Sequence, residues 1–272
     1  MKTIGVYDSG VGGLSVLKAL MAEVPDAQYV YVADTGFAPY GEKPESVIRD
    51  RAHFITQRLR EEAPIDALVV ACNTATAHAI DSLRLLYPDL PFIGVEPAIK
   101  PAAALTRSGH IAMLGTAGTV GSQRYRKLCD QVQSASPHVH IHSVACNGLA
   151  DAIENGRDLD VRAMLQRYLD AAGLPHSPSA AQENGVDVVV LGCTHYPFAS
   201  DVVSSLCGPG VTILENGQPV ARRVRSVLGL TDFDMSPSLP TVTLHSTGTG
   251  ERLSAAASRW LQLDIPAQQL RW

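Results

Sequence analysis

Short runs of apolar residues recur along the chain, and each run ends in small or polar residues. Because the runs are continuous rather than alternating, they are typical of strands that are buried on both faces of a sheet. Most of the intervals between them have helical periodicity, with apolar residues three or four positions apart. The predicted strands are Thr3–Tyr7, Gln28–Ala33, Ala67–Ala71, Phe92–Val95, His110–Leu114, Val139–Val144, Val186–Leu191, Val211–Leu214 and Thr241–His245. The predicted helices are Leu14–Val24, Glu45–Glu62, Ala75–Tyr87, Val120–Val132, Val161–Ala171 and Pro219–Leu228.

This alternation of strand and helix predicts an α/β fold in which helices cover both faces of parallel sheets. The run Pro97–Pro101 fits a crossing between two lobes, and the run Cys207–Gly210 fits a return to the first lobe. We therefore expect two similar doubly wound lobes, residues 1–97 with 210–272 and residues 98–209. Ligands of such sheets bind at the carboxyl ends of the strands, so we expect the active site in the cleft between the lobes. Residues 174–185, in which Pro, Ser and Gly occur without periodicity, are expected to form a mobile surface loop.

Composition and charge narrow the class of protein. The 272 residues carry a formal net charge of −5, with 46% hydrophobic and 18% charged residues. This balance is typical of a globular protein with a core, and it excludes disorder as the main state. The negative net charge argues against a nucleic-acid partner. No run approaches the roughly 18 apolar residues that a membrane-spanning helix needs, and the first residues lack the features of a signal peptide, so we expect a cytoplasmic protein.

Two segments of the sequence resemble each other. Asp66–Thr74 and Asp187–His195 each begin with Asp, continue through an apolar strand, and end in a small residue, Cys and two polar residues. They are separated by about the length of one small α/β domain. Each lobe is therefore expected to present one cysteine, Cys72 or Cys193, at a strand end, and the two thiols are expected to face each other across the cleft.

Both cysteines have a context that suits a reactive thiol. Cys72 lies where a buried strand passes into a helix that we expect to begin near Ala75, with Asn73 and Thr74 as suitable capping residues. The unpaired N–H groups of a helix start favour negative charge and therefore a thiolate. Cys193 has the same placement, with a histidine two residues later. The alternative for each is a buried structural cysteine. The other cysteines lack this context and are interpreted as packing residues: Cys129, Cys146 and Cys207.

A pair of opposed thiols fits proton transfer at a carbon centre. One thiolate would remove a proton from one face of the carbon while the other thiol donates a proton to the opposite face, which inverts the configuration. A protease-type arrangement needs only one cysteine and leaves the second unexplained. Thiol exchange favours a CxxC pair, which the chain lacks, and the absence of CxxC or Cys-x-x-His spacing also gives a metal site no support.

The glycine-rich segment Asp8–Ser15 follows the first predicted strand and precedes the first predicted helix. This is the position of a dinucleotide-binding loop, and Asp34 is placed like the acid that binds the ribose. Ser15, however, stands where the GxGxxG pattern requires its third glycine. Two alternatives stay open for this segment. Its backbone N–H groups could bind a carboxylate, or it could form a tight turn without a ligand. Asp8 is also suited to cap the following helix. No lysine has a motif that supports pyridoxal phosphate, although the sequence does not exclude that cofactor.

Six motifs occur in order between residues 8 and 197: Asp8–Gly13, Pro39–Gly41, Ala71–Ala75, Glu96–Ala98, Gly115–Val120 and Leu191–Pro197. In these motifs the chain resembles the glutamate racemase family of the aspartate/glutamate racemase superfamily. The resemblance implies a cofactor-independent isomerase, without a metal, that interconverts L- and D-glutamate. It also implies a supply of D-glutamate for peptidoglycan synthesis, and hence a role in the bacterial cell wall and cell shape. Relatives are often dimers, so the resemblance allows a homodimer.

The resemblance also implies roles for individual residues. Cys72 and Cys193 match the two acid/base thiols, the first acting on D-glutamate and the second on L-glutamate. The polar residues that assist them would be Asp8, His195 and Glu154. The residues that hold the substrate would be Asp8, Ser9, Tyr40, Gly41, Asn73, Thr74, Thr116, Thr119, Thr194 and His195.

Some positions differ from the usual pattern of the family, and other functions stay open. Asn147 stands where proline is common after Cys146, and Glu215-Asn216 stands where an Asp-Ser pair is usual.

The nearest alternative function is that of an aspartate or hydantoin racemase. Two further alternatives belong to other classes of protein. One is a two-lobed protein that binds glutamate without catalysis, and the other is a nicotinamide-dependent oxidoreductase.

Overall fold

Strands and helices alternate along the chain in the computed structural model, which describes residues 1–174, 185–230 and 240–270. The loop expected at residues 174–185 lies almost entirely outside the described residues. The strands are β1 Thr3–Asp8, β2 Gln28–Ala33, β3 Ala67–Val70, β4 Phe92–Gly94, β5 His110–Gly115, β6 His140–Ala145, β7 Val188–Gly192, β8 Thr212–Leu214, β9 Thr241–Ser246 and β10 Ala267–Gln269. The helices are α1 Leu14–Glu23, α2 Glu45–Glu62, α3 Asn73–Leu86, α4 Ile99–Leu105, α5 Ala117–Val120, α6 Gln123–Ala135, α7 Leu149–Glu154, α8 Asp158–Ala171, α9 Ser200–Cys207, α10 Gly217–Val227 and α11 Glu251–Leu261. Short 3-10 helices cover Tyr40–Glu42 and Tyr196–Ala199.

Every predicted strand is present, with bounds that differ by at most a few residues. The helix predicted at Val120–Val132 is two helices, α5 and α6, because Ser122 accepts the N–H of Tyr125 and caps a new helix start. Strand β10 is not predicted by the sequence pattern, since Ala267–Gln269 is a short segment with two glutamines and forms no apolar run. None of the described helices is both long and apolar enough to span a membrane.

Two compact units divide the chain: Met1–Val95 with Gly217–Trp272, and Glu96–Asn216. The first unit contains a six-stranded sheet in the order β10-β9-β2-β1-β3-β4, and the second contains a four-stranded sheet in the order β6-β5-β7-β8. All neighbouring strands in both sheets are parallel. The fold class is therefore the predicted α/β class with two parallel sheets. Strand β8 belongs to the second unit because it pairs with β7, whereas the sequence suggested a return to the first lobe near residue 210.

One buried cluster of the first unit lies where β1 and β3 meet α2 and α3. Strand β3 is buried at every position, as its uninterrupted Ala-Leu-Val-Val sequence predicts. Helix α2 buries an apolar stripe at helical spacing: Ile48, Ala52, Ile55 and Leu59. These residues join Leu68, Val70, Ile80 and Leu83 in one buried cluster. Each large apolar side chain that is fully buried contributes about 1.5–3 kcal/mol to stability.

The second unit has its own core. Strands β5 and β7 contribute Ile111, Met113, Val188 and Val190, which pack against α4 and α6. Strands β6 and β8 are the edges of this sheet and are only partly buried. The unit therefore has a buried cluster and a sheet that are both formed within residues 96–216.

The aspartates that begin the two similar sequence segments, Asp66 and Asp187, have the same structural role. Asp66 precedes β3 and accepts the backbone N–H of Thr3 and the ammonium of Lys2, both at 2.8 Å. Asp187 precedes β7 and accepts the Thr106 hydroxyl at 2.5 Å and the backbone N–H of Arg107 at 2.7 Å. In each unit the aspartate thus holds the segment that leads into the neighbouring central strand, β1 or β5.

The strand register places site residues side by side at the carboxyl edges. In the first sheet Tyr7 pairs with Val70, so Asp8 and Cys72 follow on neighbouring strands. In the second sheet Gly115 pairs with Gly192, so Thr116 and Cys193 follow on neighbouring strands.

Candidate active site

Cys72 is the N-terminal cap of helix α3. Its sulfur accepts the backbone N–H of Ala75 at 3.4 Å, and its thiol lies 3.5 Å from the hydroxyl of Ser9. The helix begins at Asn73, earlier than expected, so the cap is the cysteine itself rather than Asn73 or Thr74. Hydrogen bonding to sulfur and the positive end of the helix dipole both favour the thiolate over the thiol.

Asp8 lies beside Cys72 and is completely buried. Its carboxylate accepts the N–H of Gly10 at 2.6 Å. Helix α1 has Gly13 as its cap residue without a side-chain cap, so the alternative of Asp8 as a helix cap is wrong. A Cβ at position 13 would lie 2.7 Å from the Cβ of Asp8 and 2.9 Å from the hydroxyl of Tyr31, so close packing requires this glycine.

Asn73 presents a buried acceptor next to the thiol. Its Nδ2 donates to the carbonyl of Val95 at 3.3 Å, whereas its Oδ1 is buried and has no hydrogen-bond partner among the described residues. An unsatisfied buried acceptor is costly, and an N–H donor of a ligand would satisfy it. Thr74 follows in the same helix turn and is also buried.

Asp34 is bound by groups of its own unit. The Arg51 guanidinium makes two hydrogen bonds to its carboxylate, at 2.9 and 2.7 Å, and Thr247 donates at 2.6 Å. The hydroxyl of Tyr40 donates to the same carboxylate at 2.5 Å. Because its oxygens are engaged in this way, Asp34 is not placed to bind a ribose, and the dinucleotide interpretation loses its acidic residue.

Tyr40 is buried, and its phenol also accepts a hydrogen bond from Tyr7 at 2.7 Å. Gly41 follows it in the short 3-10 helix and is partly exposed. In the Tyr40–Gly41 pair, the tyrosine side chain is therefore packed in the core, where its hydroxyl bonds to Tyr7 and Asp34. Any contact of this pair with a substrate would involve the backbone.

Cys193 follows β7 and is buried, with 6% of the residue exposed. Its sulfur lies 3.9 Å from Nδ1 of His195, and Nε2 of His195 lies 3.1 Å from the carboxylate of Glu154 at the end of α7. With Nε2–H donating to the carboxylate, Nδ1 is free of hydrogen and can accept the thiol proton. The three side chains therefore form a connected acid/base group, which differs from the helix-cap environment of Cys72.

Cys146, which the sequence pattern predicts to be a packing residue, is a further buried thiol in the second unit. It follows β6, and its N–H donates to the carbonyl of Gly115 at 2.8 Å. Burial, and then the charge of Cys193, raise the pKa of the Cys146 thiol to about 12. Cys146 is therefore a neutral neighbour of Cys193. A position within two residues of a strand end, shared with Cys72 and Cys193, is the sequence signal that indicates it.

Hydroxyl and amide groups surround the carboxyl edge of the second sheet. Thr116 caps α5, accepting the N–H of Thr119 at 3.2 Å, and its hydroxyl donates to that of Thr119 at 3.0 Å. Thr194 is buried next to Cys193. Asn216 donates through Nδ2 to the carbonyl of Leu191 at 3.0 Å, and its buried Oδ1 has no partner among the described residues.

The sequence-predicted residues thus form two sets, one in each unit. The first set is Asp8, Ser9, Cys72, Asn73 and Thr74, with Tyr40 and Gly41 in the turn after β2. The second set is Cys193, Thr194, His195 and Glu154, with Thr116 and Thr119 on the neighbouring strand end. Within residues 1–174, 185–230 and 240–270, no three His, Cys, Asp or Glu side chains are arranged to hold a metal ion.

Comparison with known proteins relates this chain to one family. The family model Asp/Glu/Hydantoin racemase matches residues 12–222. Over 254 residues the chain is 41% identical to the glutamate racemase of Ectopseudomonas mendocina (strain ymp), and the match covers 93% of this chain and 92% of that protein.

Solved structures give the same relationship. The glutamate racemase of Escherichia coli, in complex with L-glutamate and the activator UDP-MurNAc-ala, matches with a TM-score of 0.81 and 31% identity over 99% of this chain and 98% of that chain. A glutamate racemase isoform of Bacillus anthracis matches with a TM-score of 0.82 and 29% identity over 99% and 97% of the two chains. With a family match across most of its length and relatives above 30% identity, the chain belongs to the Asp/Glu/Hydantoin racemase family and is an amino-acid racemase.

Proposed function

We propose that this protein interconverts L- and D-glutamate by two-thiol proton transfer at the α-carbon, without a cofactor. The observation that carries the proposal is the pair of nearly buried thiols, one in each unit, each at the carboxyl end of a central parallel strand. The choice of glutamate is supported by the relatives, which are glutamate racemases, and by the Escherichia coli relative, which holds L-glutamate.

The proposed reaction transfers one proton from each face. The Cys72 thiolate takes the α-proton of D-glutamate and becomes a thiol, while the C–H electron pair stays on the carbon. The Cys193 thiol gives its proton to the opposite face and becomes a thiolate, which yields L-glutamate. The reverse direction uses the same groups in the opposite roles. This scheme requires both thiols to act on one substrate, which stays a prediction.

The first unit would bind the amino-acid end of the substrate. The Asn73 Oδ1 is suited to accept an N–H of the α-ammonium, because it is a buried acceptor without a protein partner. Asp8 supplies negative charge beside it, and the Ser9 hydroxyl contacts the Cys72 thiol. The helix start at Cys72 would keep that sulfur ionised when it acts as the base.

The second unit would activate the other thiol. His195 accepts the Cys193 proton when L-glutamate is the substrate, and Glu154 stabilises the resulting imidazolium. The hydroxyls of Thr116, Thr119 and Thr194 are donors suited to the carboxylates of the substrate.

The main obstacle to this reaction is the weak acidity of the α-proton. The carbanion has no cofactor to delocalise its charge, so fixed hydrogen-bond donors and exclusion of water must supply the stabilisation. Nearly buried thiols, backbone N–H groups at the start of α3 and nearby hydroxyls are the groups available for this purpose.

We also propose that the D-glutamate produced serves peptidoglycan synthesis in the bacterial cytoplasm. The Escherichia coli relative was solved with an activator, UDP-MurNAc-ala, which is consistent with a link between this family and that synthesis.

The substrate is tested with purified protein, both enantiomers of glutamate and of aspartate, and no added cofactor, in deuterated water. We expect glutamate to racemise and solvent deuterium to appear at the α-carbon of the product, because the donating thiol exchanges with solvent. Faster turnover of aspartate would favour an aspartate racemase. Glutamate binding without turnover would favour a binding protein.

The two thiols are tested in the same assay. Cys72→Ser and Cys193→Ser should each lose nearly all racemisation, since a serine hydroxyl is far too weakly acidic to replace the thiol. The matched control is Cys207→Ser, a partly buried thiol at the end of α9. Normal turnover by either folded site variant would contradict the two-thiol mechanism.

A further inference from the structure

Arg51 is the centre of a hydrogen-bond network that the proposed chemistry does not use. Its guanidinium binds both carboxylate oxygens of Asp34, at 2.9 and 2.7 Å. Asp34 is completely buried, and the Arg51 side chain is 15% exposed. A pair with this geometry fixes orientation as well as charge.

The network connects both ends of the turn between β2 and α2. Asp34 opens the turn, and Tyr40, near its end, donates to Asp34 at 2.5 Å. In the middle, the ring of Phe37 lies 3.7 Å from the Arg51 guanidinium. Arg51 therefore holds residues 34–40 against helix α2.

The first part of the turn has a separate support. Thr35 contacts the hydroxyl of Ser246 at 2.6 Å, and the N–H of Gly36 donates to Thr247 at 3.2 Å. These contacts fix residues 35 and 36 to the end of β9. In the segment from Phe37 to Gly41, the Phe37 ring contacts Arg51 instead, and the Tyr40 hydroxyl bonds to Asp34 and Tyr7.

The same network reaches the neighbourhood of Cys72. Tyr7 donates to Tyr40 at 2.7 Å, and both phenols pack in the buried cluster that contains Cys72. Burial raises the pKa of both phenols well above the ordinary value, so both remain donors at any working pH. The direction of donation, from Tyr7 to Tyr40 to Asp34, is therefore fixed.

We propose that Arg51 is a positioning residue for the racemase reaction, which holds the Tyr40–Gly41 turn and Tyr7 in place beside Cys72 through its pair with Asp34. The inference rests on the proposed function, in which this turn contributes to substrate binding. Arg51 does not touch the substrate.

The kinetic test uses Arg51→Met, which keeps an unbranched apolar side chain but removes the guanidinium, and with it both the pair with Asp34 and the contact with the Phe37 ring. We expect KM for both glutamate enantiomers to rise about tenfold or more with a smaller change in kcat, because the turn would contribute to binding rather than to proton transfer. Arg51→Lys keeps the charge without the bidentate contact and should give an intermediate KM. The matched control is Arg60→Met on the same helix, which removes an exposed pair with Asp89 and should leave KM unchanged.

A double variant separates positioning from stability. Arg51→Met alone leaves the Asp34 carboxylate buried and unpaired, which destabilises the fold. In Asp34→Asn/Arg51→Met that charge is gone, so the urea midpoint should recover while KM stays high. Recovery of KM together with stability would show that Arg51 is only structural and would overturn the proposal.

Hydrogen exchange gives a readout that does not depend on turnover. In the ligand-free full chain, amides of residues 37–42 should exchange about tenfold faster in Arg51→Met than in the parent or in Arg60→Met, because the turn loses its anchor. Unchanged exchange, or faster exchange with unchanged KM, would overturn the proposal. Absence of glutamate turnover in the parent would instead refute the proposed function.

Discussion

Cys72 and Cys193 receive their support from different groups. Cys72 accepts the backbone N–H of Ala75 at a helix start, whereas Cys193 lies near an imidazole that is itself hydrogen-bonded to a carboxylate. The dipole of the helix start favours the thiolate of Cys72, whereas the Cys193 thiol has a neighbouring imidazole nitrogen that can take its proton. Two chemically equivalent side chains therefore depend on different neighbours.

Replacement of Glu154 tests this difference. Glu154→Gln keeps a hydrogen bond to His195 but removes the negative charge, so we expect kcat/KM to fall on the order of 10- to 100-fold. The loss must be equal in both directions, because the two enantiomers have equal free energy and the equilibrium constant is unity. The measurement is the initial rate with L- and with D-glutamate as a function of pH.

Asp151→Asn is the matched control for Glu154, since Asp151 lies on the same short helix and pairs with the exposed Arg157. It should leave both rates unchanged. An unaltered rate for Glu154→Gln would mean that His195 works without its carboxylate.

The secondary-structure elements place these residues through their ends. Strand β1 ends at Asp8, and Cys72 follows β3 after one residue. Thr116 and Cys193 directly follow β5 and β7. Because the strands are parallel, all the ends within one sheet lie at one edge. The amino ends are fixed by Asp66 and Asp187, so each strand leading to a cysteine is anchored to its neighbour at its start.

Asp187 gives this anchoring a pH dependence. Burial alone would raise the pKa of its carboxyl, but hydrogen bonds from Thr106, Arg107 and Ser108 outweigh it and hold the pKa below its usual value. A lowered pKa in the folded state means that the stabilisation is present above about pH 4 and is lost as the pH falls through the folded value. Asp187→Asn should therefore lower the free energy of unfolding by about 1 kcal/mol at pH 7.

Urea unfolding between pH 7 and pH 3.5 checks this expectation. The difference between Asp187→Asn and the parent should narrow below about pH 4, because the Asp187 carboxyl becomes protonated in the unfolded chain while the folded parent still holds it ionised. Asp130→Asn, an exposed position on α6, is the control and should show little difference at either end. A difference that does not change with pH would show that the ionised carboxylate is not responsible.

At the level of the whole molecule, residues 96–216 form one unit inside a chain whose first unit is discontinuous in sequence. Each unit contains one of the two thiols of the proposed mechanism, together with the polar groups around it. The proposed mechanism therefore takes one thiol from each unit of a single chain.

Mixing two inactive variants tests this arrangement. Equal amounts of Cys72→Ser and Cys193→Ser, unfolded together in urea and refolded, should give no recovery of glutamate racemisation, because neither chain carries both thiols. Each variant refolded alone and the refolded parent are the controls. Recovery of about a quarter of the parent activity would show that the two thiols of one site come from different chains, because half of the statistically paired dimers are mixed and each mixed dimer has one intact site of two.

The sequence by itself determined the alternation of strand and helix, the parallel α/β class and the position of Cys72 and Cys193 at strand ends. These features depend on local periodicity, which the order of residues records directly. Helix starts were less well predicted, since Cys72 rather than Asn73 caps α3.

Only the tertiary structure decided which groups meet. Arg51 pairs with Asp34, Glu154 with His195, and Cys146 lies near Cys193, because these contacts depend on which strands are neighbours and in what register. No local pattern records such a choice. Asp34, which the sequence pattern places like an acid that binds a ribose, is instead bound by Arg51, seventeen positions later.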